Sequence, residues 1–221
     1  MKTLLTVSAM TALIVATPAL SADPIRPMPI PVVPVVDSSS IWDGFYAGLN
    51  VGYGWGTWSA DTGAVVDTYD IEGWLGGAQV GYNFANGGMV FGVEADIQAA
   101  DISGTFSNAN IGDAEFGIQS FGTVRARIGA DAGSFMPYIT GGLAYGSLHF
   151  KLTDPAGAVV NDESQWAWGW TVGAGIEAML ADNISVKGEY LYIDLGTPTF
   201  AAGFDGSANA HTARLGVNFH F

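Results

Sequence analysis

The stretch "GFYAGLNVGYGWG", residues 44–56, decides the fold. Phe45, Ala47, Leu49, Val51, Tyr53 and Trp55 occupy alternate positions, and Gly48, Asn50, Gly52, Gly54 and Gly56 fill the places between. Successive side chains of a strand point to opposite faces, so this segment has one apolar face and one that is almost empty. A half-buried strand in water sets its apolar face against a polar one. A nearly empty second face requires a different surrounding.

The same period of two recurs in seven later segments, which makes eight strands. In "GWLGGAQVGYNF" Trp74, Ala78, Val80, Tyr82 and Phe84 oppose Gly73, Gly77, Gln79, Gly81 and Asn83. In "MVFGVEADIQA" Phe91, Val93, Ala95 and Ile97 oppose Gly92, Glu94, Asp96 and Gln98, and in "GTVRARIG" Val124, Ala126 and Ile128 oppose Thr123, Arg125 and Arg127. "PYITGGLAYG", "WAWGWTVGAGIEA", "ISVKGEYLY" and "HTARLGVNFHF" divide in the same way. Phe121, Leu191 and Ile193 fall on the polar parity and Gly188 on the apolar one, most of them near predicted strand ends.

Long connections at 57–71, 101–115, 149–163 and 196–208 alternate with short ones at 85–88, 131–134 and 181–183. This alternation collects every long loop at one end. The expected fold is all-β: an eight-stranded antiparallel up-and-down transmembrane β-barrel with four long external loops and three short periplasmic turns. In a bilayer the backbone must satisfy its own polar groups, so strands span only as a closed barrel. The apolar face then meets lipid. The other face points into a lumen that eight strands make only just wide enough for side chains, and glycine there leaves room for bulkier neighbours. A lipocalin-like soluble barrel would need the opposite sorting.

Composition agrees. Hydrophobic residues are 49% and charged residues 13%, yet the net charge is −14, and the 31 glycines are about twice ordinary usage. Such acidity argues against nucleic acid as a partner, which requires a basic footprint. With no cysteine, disulfides and thiol chemistry are excluded.

Three segments are expected. Residues 1–21 read as a secretory signal peptide, with Lys2 before an apolar run and cleavage after Ser21; the run falls short of the ~20 apolar residues of a spanning helix. Residues 22–40 form a proline-rich, extended N-terminal segment, and residues 41–221 the outer-membrane barrel domain.

By parity Glu94, Asp96, Glu177 and Glu189 point inward together with Arg125, Arg127, Lys187 and Arg214. A basic residue on the lipid side at the midplane would cost about 2–4 kcal/mol, which favours this assignment. Four acids against four bases suggest a lumenal ion-pair network holding the barrel together; a charged constriction guiding ions is the alternative. Trp55, Trp58, Trp74, Tyr145, Trp166, Trp168, Trp170, Tyr190 and Tyr192 form an expected aromatic girdle toward the loop end, with Phe45, Tyr82, Phe84, Phe91, Phe135, Phe219 and Phe221 toward the turn end. The acidic loop residues, such as Asp61, Asp67, Asp70, Glu72, Asp113 and Glu115, read as solvated surface, with cation bridging to lipopolysaccharide or a host ligand as the sharper reading. "DTYDIE" lacks the spacing of a calcium loop. "GAGIEA" matches a dinucleotide-binding glycine pattern, but another two-period segment follows where a helix is required. No catalytic residue, cofactor or metal ligand is expected. No Ser–His–acid grouping stands out around His149, His211 or His220, although the residues could still meet in space.

The chain resembles the small outer-membrane β-barrel proteins of alphaproteobacteria, the porin-family or outer-membrane immunogenic proteins. The resemblance covers about residues 41–221 and rests on "WDGFYAGLNVGYGWG", "GWLGGAQVGYNF", "VFGVEADIQ", "FGTVRARIG", "PYITGGLAYG", "VGAGIEAML" and "HTARLGVNFHF". It implies an outer-membrane location in a Gram-negative bacterium, surface exposure, antigenicity and a role in envelope integrity. It also implies contact with outer-membrane lipid and lipopolysaccharide. Phe221, with Phe219 and Val217 on its face, resembles the signal read by the barrel-assembly machinery. The expected function is therefore structural and surface-presenting, without enzyme activity. A narrow porin for small solutes or ions is the first alternative, and an adhesin or receptor meeting host or extracellular ligands through its loops is the second.

Overall fold

Alternating apolar and small residues leave each strand with two different faces, and hydrogen bonding leaves each with two edges to satisfy; closing the sheet on itself answers both demands. The computed structural model describes residues 40–61, 66–108, 112–197 and 205–221. The signal-peptide segment with Ser21, and the proline-rich segment up to residue 39, lie outside them. The strands are β1 (Gly44–Asp61), β2 (Val66–Asn86), β3 (Met89–Asn108), β4 (Gly112–Ala130), β5 (Phe135–Thr153), β6 (Val159–Ala181), β7 (Ile184–Asp194) and β8 (Asp205–His220). Each pairs antiparallel with its neighbour in sequence, and β1 pairs with β8 to close the ring. The closure is extended by Phe221, whose amide donates to the Phe45 carbonyl at 2.9 Å.

The side chains sort as the period requires. Leu49 and Leu215 are each 70% exposed on the outside, and Ile97, Ile139, Leu143, Val172 and Val217 share that face. The polar parity points inward and is buried. The glycines on the inward faces have a specific cause: side chains of neighbouring strands occupy the space beside them. A Cβ at Gly81 would collide with the Tyr46 phenol, and one at Gly175 with that of Tyr138. Each tyrosine lies across a glycine of the adjacent strand and reaches the middle of the lumen. At the β2–β3 turn Gly87 and Gly88 take φ of 61° and 83°, the left-handed pair that a two-residue hairpin needs.

The outer ends differ from the sequence-based expectation. Most of the segments 57–71, 101–115 and 149–163 are paired strand rather than loop: Thr57 pairs with Asp70, Thr105 with Glu115 and His149 with Ser164. Strands of up to 23 residues exceed the ~9–11 that a tilted strand needs to cross the hydrocarbon, so the outer halves stand beyond it. The loop assignment failed because alternation there involves polar residues on the outward parity, where water has replaced lipid. Register irregularities between Ile118 and Ser120, and between Ala99 and Ile102, mark bulges in this outer half. Passing Gln119, β4 switches parity, so Phe116 and Ile118 face inward along with Phe121.

Candidate functional site: the barrel lumen

The inward side chains form three layers. At the periplasmic end Trp42, just ahead of β1, packs with Val90, Met136 and Tyr138. Trp42 is fully buried. Its indole N–H donates to the Gly133 carbonyl at 3.0 Å, and its own carbonyl accepts from Asn83 Nδ2 at 3.0 Å. The His220 ring meets it edge-on, with centroids 6.0 Å apart. Ser40 Oγ donates to Asp131 Oδ2 at 2.6 Å, tying the entering chain to the β4–β5 turn.

The middle layer gathers all eight charged residues assigned inward, each at most 6% exposed. Arg125 bonds to Glu94, to Asp96 Oδ2 at 3.1 Å and to Glu189 Oε2 at 2.9 Å. Lys187 reaches both Glu94 oxygens, at 2.8 and 2.9 Å. Arg214 bonds to Glu189 at 2.5 Å and lies 3.5 Å from Asp96. Arg127 holds Glu177 at 3.0 Å, donates to Asn83 at 2.9 Å and lies over the Tyr46 ring, 4.5 Å from its centroid. Neutral donors complete the carboxylates: Tyr46 on Glu94 at 2.7 Å, Tyr138 on Glu189 at 3.0 Å, Thr123 on Asp96 at 2.6 Å, and Ser185 and Asn218 on Glu177 at 2.5 and 2.6 Å. Asn50, Gln79 and Asn218 continue the network as a ladder of amides. Four positive and four negative charges cancel, which is what allows them to remain ionised away from water.

Above the charges sits an apolar plug. Trp58, Ile71, Leu75, Ile102, Phe116 and Leu148 are at most 3% exposed, and Phe121, Leu191, Ile193 and Leu195 pack with them. Trp58 therefore does not belong to the outer girdle: at an even position of β1 it points inward and stacks near Phe116, 5.9 Å between centroids. The parity exceptions Phe121, Leu191 and Ile193 are part of this plug. The plug, Trp42 and the hydrogen-bonding roles of Tyr46 and Tyr138 are not singled out by the sequence pattern. For the plug the signal existed in the inward parity of Ile71, Leu75 and Ile102, which continue the glycine faces of β2 and the acid face of β3.

The girdle residues and the C-terminal aromatic residues lie on the outer wall. Trp55, Trp74, Trp166, Trp168, Trp170 and Tyr190 are exposed on the loop-side half of their strands, with Tyr192 half-buried among them. Val217, Phe219 and Phe221 all face outward, the last two rings meeting edge-on with centroids 5.1 Å apart. Ser185 Oγ lies 2.9 Å from His220 Nε2 and 2.5 Å from Glu177 Oε1. That grouping lacks the order of a hydrolytic triad: the carboxylate touches the serine and the same ring nitrogen, at 3.5 Å, instead of orienting the imidazole from its far side. "GAGIEA" lies within β6 and leads into β7, not a helix. Among the described residues, no three His, Asp or Glu side chains converge as metal ligands.

A ring of eight antiparallel strands with lipid-facing apolar residues and an ionic interior defines an outer-membrane β-barrel protein. Residues 7–221 match the family described as "Outer membrane protein beta-barrel domain", and the chain belongs to that family. It is 37% identical to the 31 kDa outer-membrane immunogenic protein of Brucella melitensis over 93% of this chain and 95% of that one. To the 22 kDa outer membrane protein of Rhizobium leguminosarum it is 34% identical over 84% and 81%. Among solved structures, the outer membrane protease OmpT of Escherichia coli superposes with a TM-score of 0.52 over 83% of this chain and 98% of that one, at 10% identity. That likeness is one of fold alone. The protein resides in the outer membrane of a Gram-negative bacterium.

Proposed function

We propose that this barrel is a non-enzymatic, closed structural element of the outer membrane that presents its outer strand extensions and loops at the cell surface. The observation that supports the reading is the burial of three successive layers of inward side chains: an indole-capped floor, an ion-pair network and an apolar cluster. An ion crossing it would have to displace Trp42, enter a network whose carboxylates are already bonded, and shed its remaining water against Leu148 and Ile102. The immunogenic naming of relatives supports the surface-presenting part, and the absence of triad order around Ser185 supports the non-enzymatic part. Lipopolysaccharide is the neighbour that the outer girdle would meet, and Val217, Phe219 and Phe221 the signal for the assembly machinery.

Conductance of the purified, folded protein across a planar bilayer tests this. The closed barrel gives no stable openings. Stable unitary steps whose size changes on Glu94→Gln or Arg125→Ala would instead establish the narrow pore.

A further inference from the structure

A recess of about 410 Å³ opens on the outer wall where β8, β1 and β2 run side by side, within the roughly 300–1,000 Å³ typical of small-ligand sites. Its polar and aromatic lining is Trp55, Thr57, Asp70, Glu72, Asn209 and His211. These residues stand in two cross-strand rows: Trp55 between Glu72 and His211, and Thr57 between Asp70 and Asn209. Trp55 is 40% exposed, and the His211 ring lies nearly parallel to it, 18° between planes and 6.0 Å between centroids. The Tyr190 hydroxyl sits 2.6 Å from His211 Nδ1. With that hydroxyl donating, the imidazole carries its proton on Nε2 and offers a donor there.

We propose that this recess is a saccharide site, taking the pyranose ring of a neutral sugar against Trp55 with its hydroxyls on Asp70, Glu72, Asn209 and His211. The chemistry of the lining selects that class. A pyranose presents axial C–H bonds of slight positive charge, which suit the negative face of an indole. Its hydroxyls both donate and accept, matching carboxylates that only accept and an imidazole N–H and an amide that donate. No lysine or arginine lines the recess, so a phosphorylated or acidic sugar would meet two uncompensated carboxylates. The sugar comes either from the headgroup of a glycolipid in the same membrane, which the recess faces sideways beside the girdle, or from a free glycan.

The test uses the full folded protein in phosphatidylcholine nanodiscs, with saturation-transfer NMR against methyl α-glucoside, methyl α-mannoside and methyl α-galactoside. A second arm dopes the nanodiscs with monoglucosyl diacylglycerol as competitor. Saturable binding of at least one methyl glycoside is expected, weakened about tenfold or more by Trp55→Leu and by Asp70→Asn, and unchanged by Trp168→Leu on the far side of the barrel. Displacement by the glycolipid identifies the membrane source, and its failure the free-glycan source. Asn209→Leu replaces Trp55→Leu should the latter lose its heat-modifiable gel mobility. The proposal is overturned by no saturable binding in either arm, by binding that survives Trp55→Leu, or by glucosamine binding tenfold more tightly than the neutral sugars, which would mark a site for organic cations.

Discussion

Arg125→Ala removes the guanidinium that joins three of the four lumenal carboxylates. Arg125 is 1% exposed, so bulk water does not reach the carboxylates it leaves behind. Breaking a buried pair by deleting one member costs about 3–5 kcal/mol, because the remaining charge is left without compensation. Here Lys187 and Arg127 remain near Glu94, and Arg214 remains on Glu189 and near Asp96, so each carboxylate keeps at least one cation. That places the loss toward ~3 kcal/mol, on the order of a hundredfold in the folding equilibrium constant. The lumen is also left with one net negative charge. Urea unfolding in phospholipid vesicles, followed by tryptophan fluorescence and by gel mobility of unheated samples, reads this directly. A loss below about 1 kcal/mol, the range of exposed ion pairs, would refute the reasoning, since it would mean that water already screens these charges.

Trp42→Ala should destabilise by about 3–5 kcal/mol, the range for deleting a large buried ring, and the same unfolding assay reads it; a change within ~0.5 kcal/mol would show that the floor is not packed. Tyr46→Phe removes one hydrogen bond to an ionised carboxylate and should cost about 1.5–3 kcal/mol with the barrel otherwise intact. Gly81→Val forces a side chain into the Tyr46 phenol and should cost at least ~1–3 kcal/mol; the double variant with Tyr46→Ala should recover part of it, and no recovery would contradict the glycine–tyrosine pairing. Leu215→Arg, on the lipid face opposite Val51, should cost about 2–4 kcal/mol in vesicles.

Most of the barrel is legible because a lipid-facing strand allows few exceptions: every second residue is apolar from Phe45 to Trp55 in β1, from Trp166 to Leu180 in β6 and from Ala213 to Phe219 in β8, and the sheet has no other way to close. The charges were legible for the same reason, since lipid penalises Arg125 or Lys187 on the outward parity. Their pairing was not, because Arg125 meets Glu94 across adjacent strands but Glu189 across the lumen, and sequence contains no record of which inward residues share a height. The outer half was least legible. Beyond the hydrocarbon, outward positions turn polar, as at Asp70, Glu72 and Glu115, so the period persists only on the inside, and the bulge at Gln119 shifts it in β4. Ile71 and Ile102 therefore fall within segments that read as connections, and Phe121 reads as an exception to the period. Trp58, a girdle residue by type, is an inward one by parity. Trp42 precedes the first strand and has no periodic neighbours to place it.

The chain has no cysteine of its own, so a single introduced thiol reports its surroundings without background. Thr212 is fully buried, on β8 between the inward Arg214 and the plug residue Ala210. In folded T212C, a membrane-impermeant methanethiosulfonate should leave the thiol unmodified and react fully only after denaturation. Rapid modification of the folded barrel would mean that water runs through its centre, and the sealed ionic interior would have to be given up.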